Sequence, residues 1–293
     1  MDGILGLGRG DTRSNTIEAP SLLGTLSSSR LIEHKLFGIH LSRGVDGLDD
    51  GELNLGGPNT NRYGGDLSWN EAVDNENGYW EIAISDAGFD DKATGLEGRT
   101  AVLDSGTSYI LMPSNDALVL HGLIPGFKQS EDGETFTIPC STTQPVQIKF
   151  GDTIYNVSTK DYIGGSVGSG NCASNIVGRQ VFGDTQWLVG DVFLKNVYSV
   201  FDADNSQVGF GVKEEFASSS TSSSMPSSTA TITKVVSATA SPIIPPSGST
   251  VPTAANQNSP QESQPAKGES GRVKAPPSSF ALLVALGLLS VFV

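Results

Sequence analysis

Apolar side chains recur at every second position through several short runs of this chain. In "PVQIKFGDTIYNVS", Val146, Ile148 and Phe150 share one face, the two-residue period of a half-buried strand. Gly151-Asp152 then supplies a tight turn, and the apolar pattern resumes at Ile154, Tyr155 and Val157, so the spacing predicts a β-hairpin. "FTIPC", "NVYSVFD" and "QVGFGV" read as further strands, the last two separated by a polar turn at Ala203–Ser206. Helical stretches are few. "PSNDALVLHGLIPG" has a start at Pro113-Ser114, apolar Leu118 and Leu120, and a stop at Gly122 or Gly126. The predicted class is all-β with a few small helices, and 35 glycines provide the turns that short strands need.

The pattern ends near Ala217. "ASSSTSSSMPSSTATITKVVSATASPIIPPSGST" is rich in Ser, Thr and Pro. It cannot bury enough apolar surface to offset chain entropy, so it is expected to be a disordered, O-glycosylated stalk. The last segment, "FALLVALGLLSVFV" (Phe280–Val293), is uncharged. As a helix it would reach about 21 Å, short of a hydrocarbon core of roughly 30 Å. The polar spacer "GRVKAPPSS" precedes it, with small residues at Gly268 and Ser270 before that. Small residues, spacer and apolar tail together form the signal for a glycosylphosphatidylinositol (GPI) anchor, with Gly268 or Ser270 as the attachment residue. A plain tail-anchor helix is the alternative. The opening "MDGILGLGRGDTRSNT" has no basic n-region and no sustained apolar core. A translocated protein needs both, so an upstream segment is expected.

Composition narrows the function classes. The chain has 293 residues, room for one large β domain or two lobes plus extensions. Its net charge of −14 repels phosphate and argues against nucleic acid as a partner. The three histidines, His34, His40 and His121, are scattered, and none lies at metal-ligand spacing with another His or Cys, so neither metal nor cofactor is expected. Two cysteines, Cys140 and Cys172, allow one pairing. Asn156-Val157-Ser158 is an N-glycosylation sequon in the predicted hairpin.

One acidic residue stands out. In "TAVLDSGTSYILMPS", Asp104 sits on a small-residue turn between two apolar runs. Gly106 permits close backbone approach, and Ser105, Thr107 and Ser108 offer hydroxyl donors that could keep the carboxylate ionised. On these residues alone, an Asp that merely closes its own turn is an equal reading. The wider pattern resembles the pepsin-like aspartic proteases. "AVLDSGTS" is similar to their active-site motif, and "MDGILGLG", "GGDLSWN", "GYWEIAI" and "WLVGDVFLKNVYSVFDADNSQVGFG" follow the family's order from Met1 to about Lys213.

The resemblance implies a bilobal all-β fold in which one aspartate from each lobe shares a proton and holds a water. One carboxylate takes a proton from the water, and the other carboxyl hydrogen-bonds the scissile carbonyl. Asp104 matches the second-lobe aspartate. Ser105 matches the hydroxyl that braces the two active-site loops, Gly106 the loop glycine, and Thr107 the hydroxyl that bonds the outer carboxylate oxygen. Tyr79 falls in a stretch that the family uses near its substrate cleft. The family also threads each aspartate loop past a hydrophobic-hydrophobic-Gly segment, matched here by Leu188-Val189-Gly190 and Ile4-Leu5-Gly6. No Asp-(Thr/Ser)-Gly precedes Asp104, since Asp11-Thr12 is followed by Arg13. A disulfide between Cys140 and Cys172 is also implied by the resemblance, worth about 3–4 kcal/mol by loop closure. Two free buried cysteines are the alternative.

The expectation is therefore a remnant of a first protease lobe over residues 1–66 and a complete second lobe over 67–214. A stalk over 215–268 and a GPI signal over 269–293, removed on maturation, follow. The whole would be a cell-surface aspartic endopeptidase acting on peptide or protein substrates, tethered to membrane or wall by lipid and monomeric when full length. A non-catalytic surface glycoprotein on a degenerate protease fold is the first rival. A half-protease in which two Asp104 loops meet across a two-fold axis is the second.

Overall fold

In the computed structural model the predicted hairpin forms from strands Val146–Phe150 and Thr153–Val157, paired antiparallel from Val146 opposite Val157 to Phe150 opposite Thr153. The structure describes residues 5–9 and 20–213, all within one compact unit. The expected stalk, the GPI signal with Gly268 and Ser270, and residues 1–4 and 10–19 lie outside the described residues. Val146, Ile148, Phe150, Tyr155 and Val157 enter the core. Ile154 does not: it is 56% exposed, because alternation places it on the opposite face from Tyr155. Strand Asp86–Phe89 extends the hairpin antiparallel, and Lys92–Ala93 closes that four-stranded sheet.

A second, five-stranded sheet runs in the order Glu52–Leu55, Leu36–His40, Val197–Asp202, Gln207–Val212, Gly64–Glu71, antiparallel throughout. The polar turn at Ala203–Ser206 joins two of its strands, as their spacing predicts. On one face Phe37 stacks on Phe201 at 4.7 Å, and Trp80 packs edge-on against both. On the other face, rings lie over glycines: Tyr198 over Gly38 and Tyr63 over Gly211. A Cβ at position 38 would sit 2.1 Å from the Tyr198 hydroxyl oxygen, so only glycine fits beneath that ring.

The third sheet contains Ile163–Gly168, Asn171–Ser174, Phe136–Pro139 and Lys128–Gln129. The Cys140–Cys172 disulfide ties two of its strands together, with Cα atoms 5.0 Å apart. Helix Ser114–His121 begins after Pro113 and is capped at Gly122. Its buried face carries Asp116, Ala117, Leu120 and His121, whereas Leu118 is 38% exposed. The 3.6-residue repeat aligns 117 with 120 and 121 and turns 118 toward solvent.

The fourth sheet runs Ile176–Val177, Ile110–Leu111, Gln186–Val189, Arg99–Leu103, Glu81–Ile84 and mixes parallel with antiparallel pairing. Asp104 emerges from it.

Candidate active site

The "AVL" run ends strand Arg99–Leu103, and strand Gln186–Val189 lies parallel beside it, with Val189 opposite Leu103. On its other side Gln186–Val189 pairs antiparallel with Ile110–Leu111. The chain leaving Leu103 must therefore turn and return on the far side of a strand contributed from much later in the sequence. The small residues of "DSGTS" make that turn possible.

Backbone hydrogen bonds fix the loop to the intervening strand. Asp104 N–H donates to Val189 O at 3.1 Å, Gly190 N–H to Tyr109 O at 3.0 Å and Asp191 N–H to Thr107 O at 2.8 Å. Gly190 passes so close beneath the loop that a Cβ there would lie 2.0 Å from Thr107 O. No other residue fits.

Within the loop, each oxygen of the Asp104 carboxylate accepts one bond. Gly106 N–H donates to Oδ1 at 2.9 Å, and Thr107 Oγ1–H donates to Oδ2 at 2.5 Å. Each oxygen keeps lone-pair capacity for a further donor. Asp104 is half-buried while Ser105 and Gly106 are exposed, so the carboxylate lies at the surface of the sheet. The loop hydroxyls divide their work: Thr107 turns onto the carboxylate, and Ser105 faces outward with no side-chain hydrogen bond among the described residues.

A second carboxyl lies behind the loop. Asp191 opens the short helix Asp191–Leu194 and pairs with Lys195 at 3.3 Å. Burial pushes its pKa up, the Lys195 ammonium opposes that, and the negative charge of Asp104 adds to it. Sequence reasoning did not assign Asp191 a role, although it sits in the quoted "LVGDVF" block.

Tyr79 packs its ring against Phe182 at 5.3 Å, and burial raises its phenol pKa. Its neighbour Trp80 accepts a backbone bond from Leu103 N–H at 2.9 Å, which links this segment to the residue before Asp104. The amino-terminal stretch reaches the same place. Trp80 Nε1–H donates to Leu7 O at 2.8 Å, and Arg9 N–H donates to Gly78 O at 3.0 Å. Asn156 and the cysteines belong to other sheets. Asn156 is exposed on its strand, where its Oδ1 accepts from Gln147 Nε2 at 3.1 Å.

Two buried acids with no local sequence mark hold the supporting strands. Glu81 accepts from Thr100 Oγ1 at 2.6 Å and from Gln186 Nε2 at 2.8 Å, joining three adjacent strands. Asp116 accepts from Arg99 Nη2 at 2.8 Å and from Trp187 Nε1 at 2.9 Å. It thereby fixes helix Ser114–His121 to the two parallel strands. Among the described residues, no group of three or more His, Cys, Asp or Glu side chains could hold a metal ion.

Residues 1–213 match the family described as "Eukaryotic aspartyl protease". The chain belongs to this family. It is 44% identical over 210 residues to the "Aspartic-type endopeptidase ctsD" of Aspergillus fumigatus, an overlap covering 72% of this chain and 44% of that protein. Identity to the "Probable aspartic-type endopeptidase CTSD" of Arthroderma benhamiae is 40% over 230 residues, covering 78% of this chain and 44% of that one. Human "Cathepsin D" is 32% identical over 221 residues, covering 72% of this chain and 52% of its own length. The chain thus spans about half the length of the curated relatives it matches. The strand-rich architecture is the all-β, pepsin-like fold of this family.

Proposed function

We propose that this aspartyl protease chain supplies one of the two carboxylates of an endopeptidase site, with Asp104 as the water-holding group. The observation that carries the reading is the Asp104 carboxylate, fixed by Gly106 and Thr107 at the surface of the loop with spare acceptor capacity on both oxygens. A water hydrogen-bonded there loses a proton to a carboxylate as its oxygen attacks the peptide carbonyl. A second, protonated carboxyl must donate to the carbonyl oxygen as negative charge builds on it. The sequence holds one Asp-(Ser/Thr)-Gly loop, so the second group comes from a partner loop. The exposure of Ser105 beside Asp104 supports a role in bracing that partner, and Tyr79 would meet a peptide substrate. The substrates are peptides or proteins, and the assembled protease works as a monomer.

The test compares this chain alone with the same chain joined to a partner lobe bearing an Asp-Thr-Gly loop, using a fluorogenic peptide at acid pH. The chain alone is expected to be inactive and the joined protein active. Asp104→Asn should reduce turnover at least about 10²–10⁴-fold, the share of general acid–base catalysis. Near-unchanged turnover in Asp104→Asn would overturn the reading. A joined protein of native stability but no activity would favour a non-catalytic surface glycoprotein. Activity of the chain alone that falls steeply on dilution would point to paired Asp104 loops.

The proposal extends to location. The small residues at Gly268 and Ser270, the polar spacer and the apolar Phe280–Val293 tail support replacement of the tail by a GPI lipid and display at the cell surface. Phosphatidylinositol-specific phospholipase C should release the protein from cells. Surface protein that resists release and retains Phe280–Val293 by mass spectrometry would exclude the anchor. The exposure of Asn156 supports its use as a glycan acceptor, and Asn156→Gln should abolish the mobility shift that an endoglycosidase produces.

A further inference from the structure

His121 closes the last turn of helix Ser114–His121 and is fully buried. Its ring stacks on Phe136 at a centroid distance of 4.0 Å and an interplanar angle of 6°. Nδ1 lies 2.7 Å from Ala117 O, and Nε2 lies 2.9 Å from Ser174 Oγ. A carbonyl oxygen can only accept, so Nδ1 carries the proton. Nε2 is then the acceptor, and the Ser174 hydroxyl donates to it. The Ser174 oxygen in turn accepts from Ile176 N–H at 3.2 Å. The imidazole is thus satisfied as a neutral group, locked in one tautomer, and it joins a helix to two strands of the third sheet.

We propose that His121 is an acid-sensitive latch, and that protonating its ring loosens helix Ser114–His121 from strands Phe136–Pro139 and Asn171–Ser174. A second proton on the ring would make Nε2 a donor facing the Ser174 hydroxyl, which must then turn its own proton away. The imidazolium would also be a buried cation without a counter-ion among the described residues. The charged groups on the elements packed around it cannot help. Asp116, on the same helix, is committed to Arg99 and Trp187. Asp86, on the strand beneath the helix, accepts from Thr94 and Gly95. Lys128, on the neighbouring strand, is exposed and of the wrong sign. Strands Phe136–Pro139 and Asn171–Ser174 bring no charged side chain. Burial accordingly pulls the pKa down to about 4 from an ordinary 6.5, outweighing the opposing pull of the bond to Ala117 O.

The sign follows. The folded state binds its proton less readily than the unfolded chain, so stability from this group is complete above pH 6.5 and is lost as pH falls toward about 4. The latch does not depend on the peptidase reading, because it is read by folding and not by turnover.

Two measurements test it. Melting temperature against pH for wild type and His121→Gln should show wild type losing its advantage between pH 6.5 and 4, with about one more proton taken up on unfolding than in the variant. Parallel pH profiles for the two proteins would overturn the proposal. The ring's own titration, followed by NMR in the wild-type chain, decides the matter even where the variant fails to fold. A midpoint below pH 5, or no titration until the chain unfolds, supports the latch. A midpoint at pH 6 or above overturns it.

Discussion

Among the described residues, Thr107 is the one side chain that hydrogen-bonds the Asp104 carboxylate, through a hydroxyl donating at 2.5 Å to Oδ2. Hydrogen bonds to charged groups contribute about 1.5–3 kcal/mol. Thr107→Val keeps the shape and removes the donor, so unfolding in urea should show a loss of about 1–2 kcal/mol. The joined protease should lose turnover in the same variant, and Thr107→Ser should restore both. Asp191 behaves differently. Its folded pKa is raised above the ordinary 3.8, chiefly by burial. The fold therefore binds that proton more tightly than the unfolded chain, and wild type loses stability as pH rises through the folded value. Asp191→Asn should melt higher than wild type at pH 7 and surrender that advantage near pH 3.5. A variant that melts lower at pH 7 would show that the Lys195 pair outweighs burial.

Strand Gln186–Val189 is the element on which the site is built, because it separates the two arms of the Asp104 loop. Gly190→Ala would drive a methyl into Thr107 O, a contact of 2.0 Å between backbone-fixed atoms. The expected outcome is loss of folded protein, or destabilisation of at least about 3 kcal/mol, read by chemical denaturation. Trp187→Phe keeps an aromatic ring in the core but leaves Asp116 short of one donor, a milder change of about 1–3 kcal/mol. The Asp104 loop was legible in the sequence because its requirements are local: an apolar strand, small residues for the turn and hydroxyls beside the acid. The hairpin was legible for the same reason, its alternation and turn pair being contiguous. Asp116 and Glu81 were not, because Trp187 and Gln186 reach them across 71 and 105 positions of sequence. Nor did the sequence mark the partners that let Asp116 and His121 face inward. A buried acid or imidazole is stabilised only by partners that folding brings to it. Ile154 misled through composition, its place in the alternation being that of an outward residue.

At the scale of the molecule, a chain of net charge −14 meets acid through groups that respond in opposite ways. Asn59, Arg62 and Asn54 together hold the Glu52 carboxyl down to about 2. Its contribution is present above pH 4.5 and is lost as pH falls toward about 2. Arg62→Ala should therefore narrow the range of acid stability from below, visible as a higher midpoint in acid unfolding. Reducing the Cys140–Cys172 bridge should cost about 2–4 kcal/mol at any pH at which the chain is folded. The threaded strand has a further consequence, in time. Asp104 leaves the ribosome well before Val189 and Gly190, which fix its loop. Pairing across so long a sequence separation is slow to form and comes late. Until the "WLVGD" segment has emerged, the Asp104 loop has no central strand to close around. A nascent or truncated chain that stops before Trp187 would carry the motif intact without the strand that fixes its loop, and its carboxylate would have no defined place.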